Sequence, residues 1–162
     1  MLRSLSLTGF ILMQMSIALT LHVLAVIIWI GGMFFAHMAL RPASIEILEP
    51  PLRLPLWSAV FKRFFFWVWI SIILLLVTGF WLFFMFPKPP LFIHLMTGIG
   101  VVMMLIFGHI YFAPYRRLKK FIATESWKEA GEALGEIRSR VGINLILGLL
   151  TTVIAIAGKY FL

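Results

Sequence analysis

Four histidines are the residues of this chain best placed to do chemistry, and they come as two pairs with one spacing. His22 and His37 are 15 residues apart, and so are His94 and His109. Both pairs lie in apolar stretches long enough to cross a bilayer. Fifteen residues of α-helix rise about 22 Å and leave an angular offset of about 60°. In a hydrocarbon core of about 30 Å, each histidine then sits a little inside its own membrane face. If the two helices run parallel, His22 meets His94 near one face and His37 meets His109 near the other. Bare imidazole pairs are a costly use of membrane interior. An iron porphyrin between them satisfies both nitrogens and buries a large apolar ring. The spacing points to two b-type haems, with His22 and His94 as metal ligands at one depth and His37 and His109 at the other. Such ligation leaves no open iron position, which suits transmembrane electron transfer between an unidentified donor and acceptor.

Neighbouring residues fit that expectation, each with a plainer reading beside it. Gly31 and Gly32 lie between the histidines of the first span, and Gly98, Gly100 and Gly108 between those of the third. They could open a gap for a flat ring, or serve ordinary small-residue helix packing. Arg41, one turn after His37, and Arg116 and Arg117, beyond His109, could pair with haem propionates; membrane anchoring explains them equally well. Lys88 is the nearest cation to the other pair. Trp29 could pack on a porphyrin edge or fill the interior. Asn144 is a lone amide suited to bonding a histidine or to gluing two helices.

The elements that must position these groups are legible from composition. The chain has 162 residues, 62% hydrophobic and 12% charged, which describes a polytopic membrane protein of one domain. With no cysteine, disulfides, iron–sulfur clusters and thiolate metal sites are excluded. There is no glycine-rich phosphate loop. All six acidic residues lie between the apolar runs, which argues against a carboxylate-based proton pump. The net charge of +8 also sits in those connections, so it orients the chain in a membrane and does not imply nucleic acid.

Spans are expected at about residues 19–41, 64–86, 91–113 and 141–162, each near the length that crosses a hydrocarbon core. Residues 4–18 then form an N-terminal extension or interfacial helix. A cleaved leader is not expected, because the apolar run continues unbroken towards His22 with no small-residue cleavage box. Pro87-Lys88-Pro89-Pro90 is a tight turn between spans two and three. Ser126 and Glu129 have capping-box spacing, and Trp127, Ala130, Leu134 and Ile137 recur at helical period, so a short amphipathic helix should lead into span four. The fold expected is all-α: an integral membrane antiparallel four-helix bundle with an N-terminal extension and a short cytoplasmic amphipathic helix. Eleven of the fourteen Lys and Arg residues fall in the two long connections. The positive-inside rule puts those connections in the cytoplasm and both termini in the periplasm. Spans one and three then run in the same direction. The partners expected are the lipid bilayer, the electron donor and acceptor, and a second copy of the chain.

From His22 the chain reads HVLAVIIWIGG and then MFFAHMALRPA. Further on come LWSAVFKRFFFWVW, TGF and IRSRVGINLILGL. These stretches resemble the copper resistance protein D family of bacterial inner-membrane proteins, and the likeness extends over most of the chain. It implies a four-helix bundle in the bacterial inner membrane and brings copper in as the alternative cargo. Soft thioether and imidazole groups suit Cu(I). Met33, four residues from His37, and Met96, two from His94, are the candidates nearest the histidines. The spacing of His22, Trp29 and Gly32 also resembles the membrane-embedded protoporphyrinogen oxidases, which implies a porphyrin-handling enzyme. Met96 stands where that family is expected to carry a lysine.

Overall fold

Apolar runs broken by proline organise this chain into long helices. The structure is a computed structural model that describes the backbone of residues 2–161 and the side chains of residues 9–158 and 160. Helix α1 (Leu2–Phe35) passes through a π-helical turn (Ala36–Leu40) into α2 (Arg41–Ile47) without leaving the helical region. Leu48 and Glu49 are extended, and Pro50-Pro51 starts α3 (Pro50–Met85). Proline suits that start, because its missing N–H would be unpaired there anyway. The proline-rich turn at 86–90 leads to α4 (Leu91–Phe112). Ala113 (φ −110°, ψ −86°) breaks the helix, and Pro114 opens α5 (Pro114–Ala123). Helix α6 (Trp127–Phe161) completes the chain.

Four of these helical stretches are long and apolar enough to cross a membrane. The protein is a multi-pass membrane protein. No strand occurs among the described residues. The large side chains turned outward, such as Ile27, Phe84, Leu105 and Ile156, are apolar, as a lipid-facing surface requires.

Two features differ from the expectation. The amphipathic segment from Trp127 is not a separate helix, because it continues through Val141 as one unbroken α6. Nothing between Ile137 and Asn144 breaks it: Gly142 costs about 1 kcal/mol in a helix interior, and packing overrides that. The separate amphipathic helix is α5, whose basic face carries Arg116, Arg117, Lys119 and Lys120 and whose Tyr115 and Leu118 are buried. It lies against α6, where Arg117 and Arg140 both reach Glu136 at 2.5 and 3.1 Å. Ser126 does precede α6, but its hydroxyl engages Thr124 Oγ1 at 3.0 Å.

Helix α1 packs chiefly on α3, and α4 on α6; α3 and α6 also touch, and α1 meets α6. Helices α1 and α4 are not among the closely packed pairs. Their link is through side chains at the centre, where the Trp29 and Phe107 rings stand edge to face at 6.2 Å. Phe107 also meets Phe65 at 5.3 Å and Trp69 at 5.3 Å. Phe65 extends the cluster to Phe61 and Tyr115. The middle of the bundle between α1 and α4 is therefore filled by aromatic rings.

Candidate functional site

On α1 a single stripe faces inward. Ala25, Trp29 and Met33 recur every four residues and are almost fully buried (0, 3 and 2% exposed). His22 extends the stripe one turn outward, and His37 extends it one turn past Met33. Helical spacing places His22, Ala25, Trp29 and Met33 on one face, and His37, inside the π turn, follows them half-buried. Nitrogen, sulfur and nitrogen thus line one side of α1 over about 22 Å.

Each α1 histidine is seated on a glycine of a different helix. The His22 ring lies against Gly79 of α3, its Cε1 3.3 Å from where a Cβ would stand. Its Nδ1 is 2.9 Å from Thr78 Oγ1. Thr78 gives its own proton to the Leu74 carbonyl at 2.5 Å. With the hydroxyl proton committed, His22 Nδ1–H is the donor, and in the neutral ring Nε2 carries the free lone pair. A fixed tautomer of this kind is how proteins orient a metal-binding imidazole. His37 sits within the π-helical turn, with Cε1 3.4 Å from the corresponding point on Gly142 of α6. π turns recur at functional sites because they re-aim the side chains that follow.

A second buried sulfur comes from α4. Met103 is 4% exposed, and its Cε approaches Gly148 of α6, where Ile30 of α1 also lands. The contacts of Ile30 with Gly148 and of His37 with Gly142 bracket Met33 against the intervening stretch of α6. That stretch holds Asn144, 1% exposed, whose Oδ1 has no hydrogen-bond partner among the described residues. An orphan acceptor in an apolar interior is costly and marks a place for a donor or a cation.

The pairing expected from histidine spacing is not formed. His94 is exposed on α4, with Nδ1–H donated to the Pro90 carbonyl of its own helix at 3.2 Å and its ring edge-on to Phe83 at 5.4 Å. His109 is also exposed. Neither makes a hydrogen bond or ring contact with an α1 histidine among the described residues. The other candidates part company too. Gly32 is covered by the Phe64 ring of α3, and Gly98 lies in a shallow outer groove beside His94. Gly31, Gly100 and Gly108 have nothing near the place of a side chain. Trp29 is core. Arg116 stacks over Phe112 at 5.0 Å, Arg117 is paired with Glu136, and Lys88 is exposed. Arg41 is half-buried. Asn144 makes no bond to a histidine.

These residues do not fit a bis-histidine haem. Two of the four imidazoles are exposed, and the Trp29–Phe107 contact fills the middle of the bundle between α1 and α4. Among the described residues, no group of three His or acidic side chains could hold a metal ion. Thioether sulfur is the donor the buried layer offers instead. Met96, the other methionine singled out by its nearness to a histidine, is half-buried on α4. Met103 was missed because no histidine lies near it in sequence; its signal was a helical spacing of four to Phe107 and seven to Ile110, the other buried residues of α4.

Comparison with curated proteins and with solved structures gives no match. Residues 58–158 match the family described as Copper resistance protein D. The matched region runs from within α3 through most of α6 and includes Thr78, Gly79 and Gly142, against which the α1 histidines lie, together with Met103 and Asn144. The match covers well over half of the chain, which belongs to the copper resistance protein D family.

Proposed function

We propose that this protein is a copper-handling membrane protein that takes Cu(I) as its cargo along the inward face of α1. The observation that carries the reading is the stripe His22, Met33 and His37, joined by Met103 across α6. Thioether sulfur and neutral imidazole bind Cu(I) in preference to harder cations. Along the helix, Met33 stands about one turn, or 5.4 Å, from His37. Met103 is one turn before Phe107 and Met33 one turn after Trp29, so the Trp29–Phe107 contact separates the two sulfurs. Sparse, low-coordination sites let a cargo ion move on, whereas a closed four-ligand site would hold it.

The same reading places the protein in a bacterial inner membrane, with the basic connections in the cytoplasm and both termini outside. Copper would then enter at His22 and leave near His37, where the basic face begins. The test is Cu(I) binding by purified protein in detergent against a competing chelator, followed by uptake into proteoliposomes. Wild type should bind and admit Cu(I), and the double variant Met33→Leu/Met103→Leu should lose most of both. A pyridine haemochrome assay showing two haems per chain, with no Cu(I) binding, would overturn the proposal in favour of the dihaem cytochrome.

A further inference from the structure

We propose that Arg41, Arg53 and Arg138, with the apolar cleft beside them, form a binding site for an anionic phospholipid. The inference goes beyond copper handling and does not rest on it.

The three arginines come from three elements, and the helix contacts bring them together. His37 touches Gly142, and one turn beyond that contact, in the same direction, stand Arg41 and Arg138. Trp57 of α3 donates its indole N–H to Ser44 Oγ at 3.1 Å, and Ser44 Oγ donates to the Arg41 carbonyl at 2.9 Å. Arg53 lies one turn before Trp57 on α3. Arg138 is within electrostatic reach of both Arg41 and Arg53. All three side chains are half-buried. They repel one another, and no carboxylate answers them: the ion pairs among the described residues all use Glu136, which serves Arg117 and Arg140. Half-buried cations held together without counter-charge are a site for a polyvalent anion.

The second observation is apolar. A cavity of about 130 Å³ opens beside the arginines, lined by Ala36 and Leu40 of the π turn that leads into α2, by Val60 and Phe64 of α3, and by Val141 of α6. Leu40 adjoins Arg41, and Val141 is one turn from Arg138. A charged end and a greasy end side by side match a phospholipid headgroup and the first part of its acyl chain, where a free anion would use only the arginines. Basic pockets between helices at a membrane boundary are recognised headgroup sites.

Native mass spectrometry of the full chain in detergent tests this, titrated separately with dioleoylphosphatidylglycerol, dioleoylphosphatidylcholine and inorganic phosphate. Phosphatidylglycerol should bind, and the other two should neither bind comparably nor displace it. Arg41→Gln/Arg138→Gln should weaken phosphatidylglycerol binding roughly thirtyfold, from about fivefold per arginine. Arg63→Gln, which removes an exposed arginine of α3, should leave it unchanged. Val60→Phe should weaken it with every arginine intact. If the double variant is not monodisperse and helical, Arg53→Gln and Val60→Phe decide. Equal weakening by Arg63→Gln would overturn the site in favour of diffuse surface charge. Displacement by inorganic phosphate, with Val60→Phe inert, would overturn it in favour of a free-anion site.

Discussion

Met33 and Met103 carry the functional claim, and their substitution by leucine separates chemistry from packing. Met and Leu have similar volume, so the double variant should lose less than about 1.5 kcal/mol per site. Its Cu(I) affinity should fall by at least about tenfold, while its helical circular dichroism is unchanged. Thr78 supports the outer end of the same stripe. Thr78→Val removes the hydroxyl that accepts from His22 Nδ1, and should cost about 0.6 kcal/mol of stability, the usual worth of a polar contact inside a membrane bundle. Detergent-denaturation midpoints would measure it. A larger effect on Cu(I) affinity than on stability would show that the hydrogen bond orients a ligand. At this scale type and spacing singled out His22 and His37 as candidates for haem and Met33 as a candidate for copper. They did not reveal which neighbour each would face. Facing depends on the phase of one helix against another, and the π-helical turn at Ala36–Leu40 shifts that phase just where His37 sits. No residue type in that stretch announces the turn.

At the scale of the elements, the close approach of α4 and α6 depends on glycine at two levels with different consequences. A Cβ on Gly158 would stand 2.5 Å from Phe92 Cβ, an atom fixed to the α4 backbone. A Cβ on Gly148 would meet Ile30 Cδ1 and Cγ1 at 2.9 Å and the Met103 Cε tip at 3.1 Å, side-chain atoms that can move further than a Cβ can. Gly158→Ala should therefore force the helices apart and cost about 1–3 kcal/mol, and Gly148→Ala distinctly less. Thermal denaturation in one detergent would rank them. The connection between α5 and α6 holds Glu125 at φ 53°, a left-handed position that glycine adopts without strain. Glu125→Gly should be neutral or stabilising by up to about 1 kcal/mol, against the usual cost of adding glycine. The all-helical, four-span architecture was legible because long apolar runs punctuated by proline leave few alternatives. The continuity of α6 across Ile137–Val141 was not, because a change from amphipathic to wholly apolar composition looks like a boundary even when the backbone passes straight through it.

For the whole molecule, α1 and α4 do not pack closely and meet through rings at mid-depth, and α1 presents one stripe of soft donors to the interior. The chain's family is described as Copper resistance protein D, and the copper proposal draws on that description as well as on the stripe. The sequence-level expectation of two haems came from a correct spacing joined to an assumed pairing of α1 with α4. Periodicity reports the face of a helix that carries a residue, and helix order in the bundle decides what that face meets. The most direct test is Cu(I) titration of the purified protein against a competing chelator, with the visible spectrum recorded on the same sample. The account predicts Cu(I) binding that Met33→Leu/Met103→Leu removes, and a spectrum without a Soret band. Undiminished binding in that variant, or a haem spectrum without Cu(I) binding, would contradict it.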